Sequence, residues 1–155
     1  MLTRRMLVFA AGSTIALAGT AALAGVAKEL MGTRVVHWSE TKPAGSGDVT
    51  WRVYFDAPTS TLLNLGLRAT TLAPGATPHP VRPHSRPIES VLIVKEGTLE
   101  VTLGDTNPKV VRLEPGSAVF LSSNQWHALR NPGKAPATYY EVDWISPGMN
   151  GERQF

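Results

Sequence analysis

The chain has 155 residues, 43% of them hydrophobic and 17% charged, which is room for one domain able to bury a core without metal or disulfide staples. It has no cysteine, so thiol catalysis, thiolate metal sites and a disulfide framework are excluded, while imidazole and carboxylate chemistry remain. The net charge of +3 falls to +1 once Arg4 and Arg5 of the leader are set aside. No Lys/Arg cluster with interleaved aromatics follows, so a nucleic-acid partner is not expected.

Residues 1–27 have the layout of an export signal. A positive start, MLTRR, precedes Met6 to Ala27, which carry no charge and end in small residues. Thr3-Arg4-Arg5-Met6-Leu7-Val8 resembles the twin-arginine export motif, without the lysine that often follows the apolar pair. A membrane anchor is the alternative, since the segment is long enough to span a bilayer, but alanine, glycine, serine and threonine make it weakly apolar. The expectation is a periplasmic or secreted protein with no membrane contact beyond the leader.

Residues 28–49 read as an arm and loop, an apolar patch (Val35, Val36, Trp38) followed by the turn-rich KPAGSGD, with Trp38 packing on the body of the domain. From Thr50 the hydrophobic period is two. Trp51, Val53 and Phe55 alternate with Arg52, Tyr54 and Asp56; then Leu63, Leu65 and Leu67 alternate with Asn64, Gly66 and Arg68. Ala73-Pro74-Gly75 is a turn. Further strands are predicted over Ser90 to Val94, Thr98 to Leu103, Val110 to Leu113, Ala118 to Leu121, Trp126 to Arg130 and Thr138 to Ile145, before a polar tail, 147–155. About eight short strands, regular turns and no helical period after the leader argue for an all-β, single-domain barrel or sandwich over residues 50–146.

Two stretches concentrate the chemistry: Pro78 to Gly97, PHPVRPHSRPIESVLIVKEG, and Gly116 to Asn131, GSAVFLSSNQWHALRN. Each sets histidine beside a β-forming run, so two strands of one barrel could present imidazoles to a shared interior.

These stretches resemble the two motifs of the cupin superfamily. The first family motif, His-x-His-x3-Glu-x6-Gly, meets His84, Arg86, Ser90 and Gly97 in this chain. The second, Gly-x5-Pro-x-Gly-x2-His-x3-Asn, meets Gly116, Ser122, Asn124, His127 and Asn131. The resemblance implies a cupin-type double-stranded β-helix, the jelly-roll barrel. It also implies a site in register with the family's three-His-one-carboxylate metal shell, of which His84 and His127 remain while Arg86 and Ser90 replace a histidine and the glutamate. The first motif is therefore degenerate. An arginine cannot ligate a cation and suits a carboxylate or phosphate, so the residues at these registers point to a small polar or anionic ligand held by His84, Arg86, His127 and Ser90, with weak or no catalysis.

The alternative is a metal-dependent enzyme of dioxygenase or isomerase type using His84, His127 and Glu89, with His79 at the barrel mouth as a further donor to iron, manganese, nickel or zinc. Glu89 would have to be turned inward by a bulge, since alternation sends it outward if Ser90 points inward. The cofactor expectation is accordingly none, or one divalent metal. The partner expectation is a small molecule, with a homodimer through edge strands open, as is common in the family. Asn131 and Gly116 are read as turn geometry.

Overall fold

The computed structural model describes residues 29–80, 82 and 87–148. The leader, the tail beyond 148, and two of the motif residues, His84 and Arg86, lie outside them.

Alternating apolar residues fold as nine strands: β1 (Pro43–Ser46), β2 (Val49–Ala57), β3 (Asn64–Leu72), β4 (Glu89–Glu96), β5 (Leu99–Leu103), β6 (Lys109–Leu113), β7 (Ala118–Leu121), β8 (His127–Arg130) and β9 (Ala137–Ile145). They form two antiparallel sheets, one of six strands in the order β1-β2-β3-β9-β4-β7 and one of three in the order β6-β5-β8. The architecture is the all-β jelly roll.

The period of two decides what fills the space between the sheets. In β5, Leu99 and Val101 are buried while Glu100 and Thr102 stay half-buried on the other face. Leu72, Leu92, Val94, Leu113, Leu121, Leu129 and Tyr139 complete the core from the remaining strands. Each such side chain removed from water contributes roughly 1.5–3 kcal/mol. In β3 the face bearing Gly66, Thr70 and Leu72 is the inner one, and Arg68 stands on it between Gly66 and Thr70.

The turns are equally specified. Gly97, between β4 and β5, has φ of 75°, and a Cβ there would lie 2.7 Å from the Ala137 Cα, so no other residue fits without displacing backbone. Asn124, at the register where the cupin motif has glycine, is the non-glycine residue at positive φ (58°) among those described. Asparagine tolerates the left-handed region better than other side chains, so the turn geometry survives the substitution. Asn131, fully buried, is a latch. Its amide donates to the Leu72 carbonyl (3.0 Å) and the Ala135 carbonyl (2.9 Å), and its Oδ1 accepts from the Gly133 N–H (2.9 Å).

The arm departs from its reading as an arm and loop. Pro43–Ser46 pairs with β2 as an edge strand, because the Gly47-Asp48 turn folds the glycine-rich segment back into a hairpin. Ahead of it, Trp38–Glu40 forms a single 3-10 turn whose start is held by Glu40, which accepts the His37 N–H at 2.8 Å. Trp38 packs on the outer wall, 6.3 Å from the Tyr54 ring and with the Arg52 guanidinium 4.5 Å from its own ring centre.

Candidate functional site

His127 comes from the inner face of β8, where it alternates with Leu129, and the residue is 3% exposed. A backbone bridge fixes the adjoining loop. The Arg82 N–H donates to the His127 carbonyl and the His127 N–H to the Arg82 carbonyl, each at 3.2 Å. This places Arg82 against β8, and His79 meets His127, their rings at 86° and 5.2 Å between centroids.

Both rings have the same tautomer. His127 Nδ1 is 2.9 Å from the Gln125 carbonyl and His79 Nδ1 is 2.8 Å from the Pro80 carbonyl. A carbonyl can only accept, so each Nδ1 carries a proton, and whenever the ring is neutral its Nε2 has the lone pair. Burial pushes the His127 imidazole below its ordinary pKa, and the neighbouring His79 and Arg82 add to that, against the Gln125 carbonyl and the Glu141 charge. It is held neutral.

Opposite β8, polar side chains of the large sheet face inward. Arg68 donates from Nε to Glu141 Oε2 at 2.8 Å, directly across the β3/β9 pairing, and its Nη2 lies 3.8 Å from Asp143. Burial works against the Arg68 cation, but the hydrogen bond and charge of Glu141 outweigh it and raise its pKa above the ordinary value. Tyr139, opposite Thr70, is 3% exposed; burial first and then the Glu141 charge push its phenol well above the usual range, so it stays protonated. Gly66 gives Asp143 its place, since a Cβ there would come 2.7 Å from Oδ1.

Together these groups line a cavity of about 450 Å³, bounded by Trp51, Arg68, Thr70, His79, Arg82, His127, Tyr139 and Glu141, with Val49, Pro78, Leu92 and Leu129 supplying apolar surface. This is within the range of small-molecule sites, about 300–1,000 Å³. Trp51 enters from β2 with its indole packed on Gly45 of β1, where a Cβ would lie 2.5 Å from the ring. A second cavity of about 380 Å³, with Asp56, Asn64 and Asp143 in its wall, opens at the end of the barrel where β3 begins.

The expected site residues divide accordingly. His127 and His79 meet in the cavity. His84 and Arg86 fall outside the described residues. Ser90 points inward beside Asp143 and Leu121 but is 1% exposed and not part of the cavity lining, its hydroxyl without a hydrogen-bond partner among the described residues. Glu89 requires correction as a metal donor. No bulge turns it inward; it pairs across the sheet with Trp144, accepts that indole N–H at 3.1 Å, and stands on the face opposite to Ser90. Glu89 thus stands away from the cavity that His127 lines, and His84, the remaining member of that triad, lies outside the described residues.

Arg68, Glu141, Thr70, Arg82 and Trp51 are site residues that sequence reading missed. The signal for two of them was present as charges within the strand alternation, Arg68 in the row with Asn64 and Gly66 of β3 and Glu141 in the row with Asp143 of β9.

Among the described residues no three His, Asp or Glu side chains converge as a metal shell. From the described residues the cavity offers two imidazole nitrogens and one carboxylate, Glu141, already engaged by Arg68. The donor set fits a complete divalent-metal centre poorly.

Comparison with known proteins agrees with this fold. Residues 69–143 match the family model described as Cupin_2, the cupin domain. A xanthan biosynthesis protein, XanB, of Xanthomonas campestris pv. campestris (strain B100) is 34% identical over 110 residues, which are 67% of this chain and 22% of that protein. The chain therefore spans about a fifth of that relative's length. Among solved structures, KdgF from Halomonas sp. superposes with a TM-score of 0.58 at 15% identity, covering 76% of this chain and 97% of that one. The Cupin_2 domain of an XRE family transcriptional regulator from Enterobacter cloacae superposes with a TM-score of 0.54 at 21% identity, covering 65% and 99%. Over residues 69–143 the chain is thus similar to the cupin domain, in keeping with its jelly-roll fold.

Proposed function

We propose that this protein is an exported cupin that binds a small polar or anionic molecule in its barrel, with a degenerate metal site and weak or no catalysis. One observation carries the reading: in the cavity wall, Arg82 has no ion-pair partner among the described residues, while Arg68 beside it is matched by Glu141. An unmatched guanidinium at the edge of a half-apolar cavity favours a carboxylate or phosphate, which it can grip with two parallel hydrogen bonds. The imidazoles of His127 and His79 contribute hydrogen-bonding surface. Export follows from residues 1–27, and cell fractionation with a mass measurement of the N-terminus tests it.

Calorimetric titration of the mature protein with a panel of small mono- and dicarboxylates tests the binding. Saturable binding that weakens about tenfold or more in Arg82→Ala supports the reading; no binding by any member, together with none by the sugar acids named below, refutes it.

The second reading, a metal-dependent dioxygenase or isomerase, has in its favour the two Nε2 lone pairs set by the Gln125 and Pro80 carbonyls. It requires a stoichiometric transition metal that is lost in His127→Ala. Metal content well below one ion per chain would reject it.

A further inference from the structure

We propose that the ligand class of this cavity is a sugar acid, a polyhydroxylated ring of monosaccharide size carrying one carboxylate. This rests on the cavity being a ligand site, and it comes from how the three walls differ. The inner wall is a matched charge pair, Arg68 Nε on Glu141 Oε2 at 2.8 Å, directly across the sheet. A bare anion there meets the Glu141 carboxylate and a cation meets the Arg68 guanidinium, so neither gains. A hydroxyl both donates and accepts, and two adjacent hydroxyls satisfy a donor and an acceptor held side by side. The protonated phenol of Tyr139 and the hydroxyl of Thr70, opposite each other in the same two strands, extend that wall with groups of the same dual capacity.

The outer wall is aromatic. Trp51 lines the cavity, remains 39% exposed and is seated on Gly45. An indole held in place with exposed surface suits the C–H face of a saturated ring, which is apolar although its edge is polar. The rim is cationic through Arg82, whose charge is unmatched among the described residues. A polar edge, an apolar face and a single negative charge at one end describe a hexuronate or its close relatives. An aromatic or aliphatic acid would leave the hydroxyl-matching wall without a partner, and a neutral sugar would leave Arg82 without one.

The test is competitive calorimetry on the full mature chain with three probes: a hexuronate set of gluco, galacto and manno configuration, D-glucose, and cyclohexanecarboxylate. At least one hexuronate is expected to bind tenfold or more tightly than both comparison probes. Arg82→Ala should bring that hexuronate down to the level of glucose, and Trp51→Ala should weaken hexuronate and glucose alike. Cyclohexanecarboxylate binding as tightly as every hexuronate would overturn the sugar-acid class while leaving a cavity for small anions. Silence from all the probes and from the carboxylate panel would overturn both.

Discussion

Arg68 and Glu141 lie 73 residues apart in the chain and directly opposite in the sheet, joined by a 2.8 Å hydrogen bond from guanidinium to carboxylate. The carboxylate is the more deeply placed partner, with 8% of its side chain exposed against 42% for the arginine. Removal of one partner therefore has unequal consequences. Arg68→Met strands Glu141 in the barrel and is expected to cost on the order of 1–3 kcal/mol, whereas Glu141→Gln keeps an acceptor for Arg68 and should cost less. Urea unfolding of both variants checks the order; equal costs would place the carboxylate in water.

His127 makes stability depend on pH. Its folded pKa lies below the ordinary value of 6.5, so the unfolded chain takes up the proton first as pH falls. Its contribution is whole above about pH 6.5 and is lost as pH drops from there toward the folded pKa, with a slope of at most about 1.4 kcal/mol per pH unit. Thermal melts between pH 5 and 7.5 should show the midpoint rising with pH. That part of the slope should vanish in His127→Gln, and an unchanged slope would show that the imidazole titrates normally.

Asn131→Ala removes one side chain but orphans three backbone groups, the Leu72 and Ala135 carbonyls and the Gly133 N–H. The expected loss is roughly 2–4 kcal/mol, read from the shift in denaturation midpoint at constant slope. The loss should fall equally on the apo and ligand-bound protein, since the residue holds the turn between β8 and β9 and does not line the cavity.

Two turns give opposite expectations for glycine and alanine. Asn124, at φ 58°, should accept glycine with little change and lose about 1 kcal/mol on replacement by alanine. Gly97→Ala should be worse than either, because strain at φ 75° is joined by contact with the Ala137 backbone. A stabilising Gly97→Ala would mean that the β4–β5 turn is laid out differently.

Much of the barrel was legible because alternation is a local property. Leu99, Val101 and Leu103 read as one face, and Leu99 and Val101 are deep in the core. The inner face of β3 was legible as a pattern, but not as the inner face: the row Asn64, Gly66, Arg68 is the more polar of the two, and it faces inward because a cavity rather than hydrocarbon lies behind it. β1 was missed because proline and glycine signal a turn, and only pairing with β2 makes that segment a strand. The Arg68–Glu141 pair and the neighbouring Thr70 and Tyr139 depend on strand register across most of the chain, which no local pattern carries. Tyr139 and Tyr140 show the same limit, the first turned into the cavity wall and the second outward against Tyr54.

The central claim, that the space between His127 and the Arg68–Glu141 pair receives a ligand, is tested most directly by residue-resolved NMR of the mature protein during titration with a small hydroxy-carboxylate. The account predicts saturable shifts concentrated at Trp51, Thr70, His79, Arg82, His127 and Tyr139, with the outer-wall residues Trp38 and Phe120 unmoved. Shifts confined to the outer wall, or none at millimolar ligand, would contradict it.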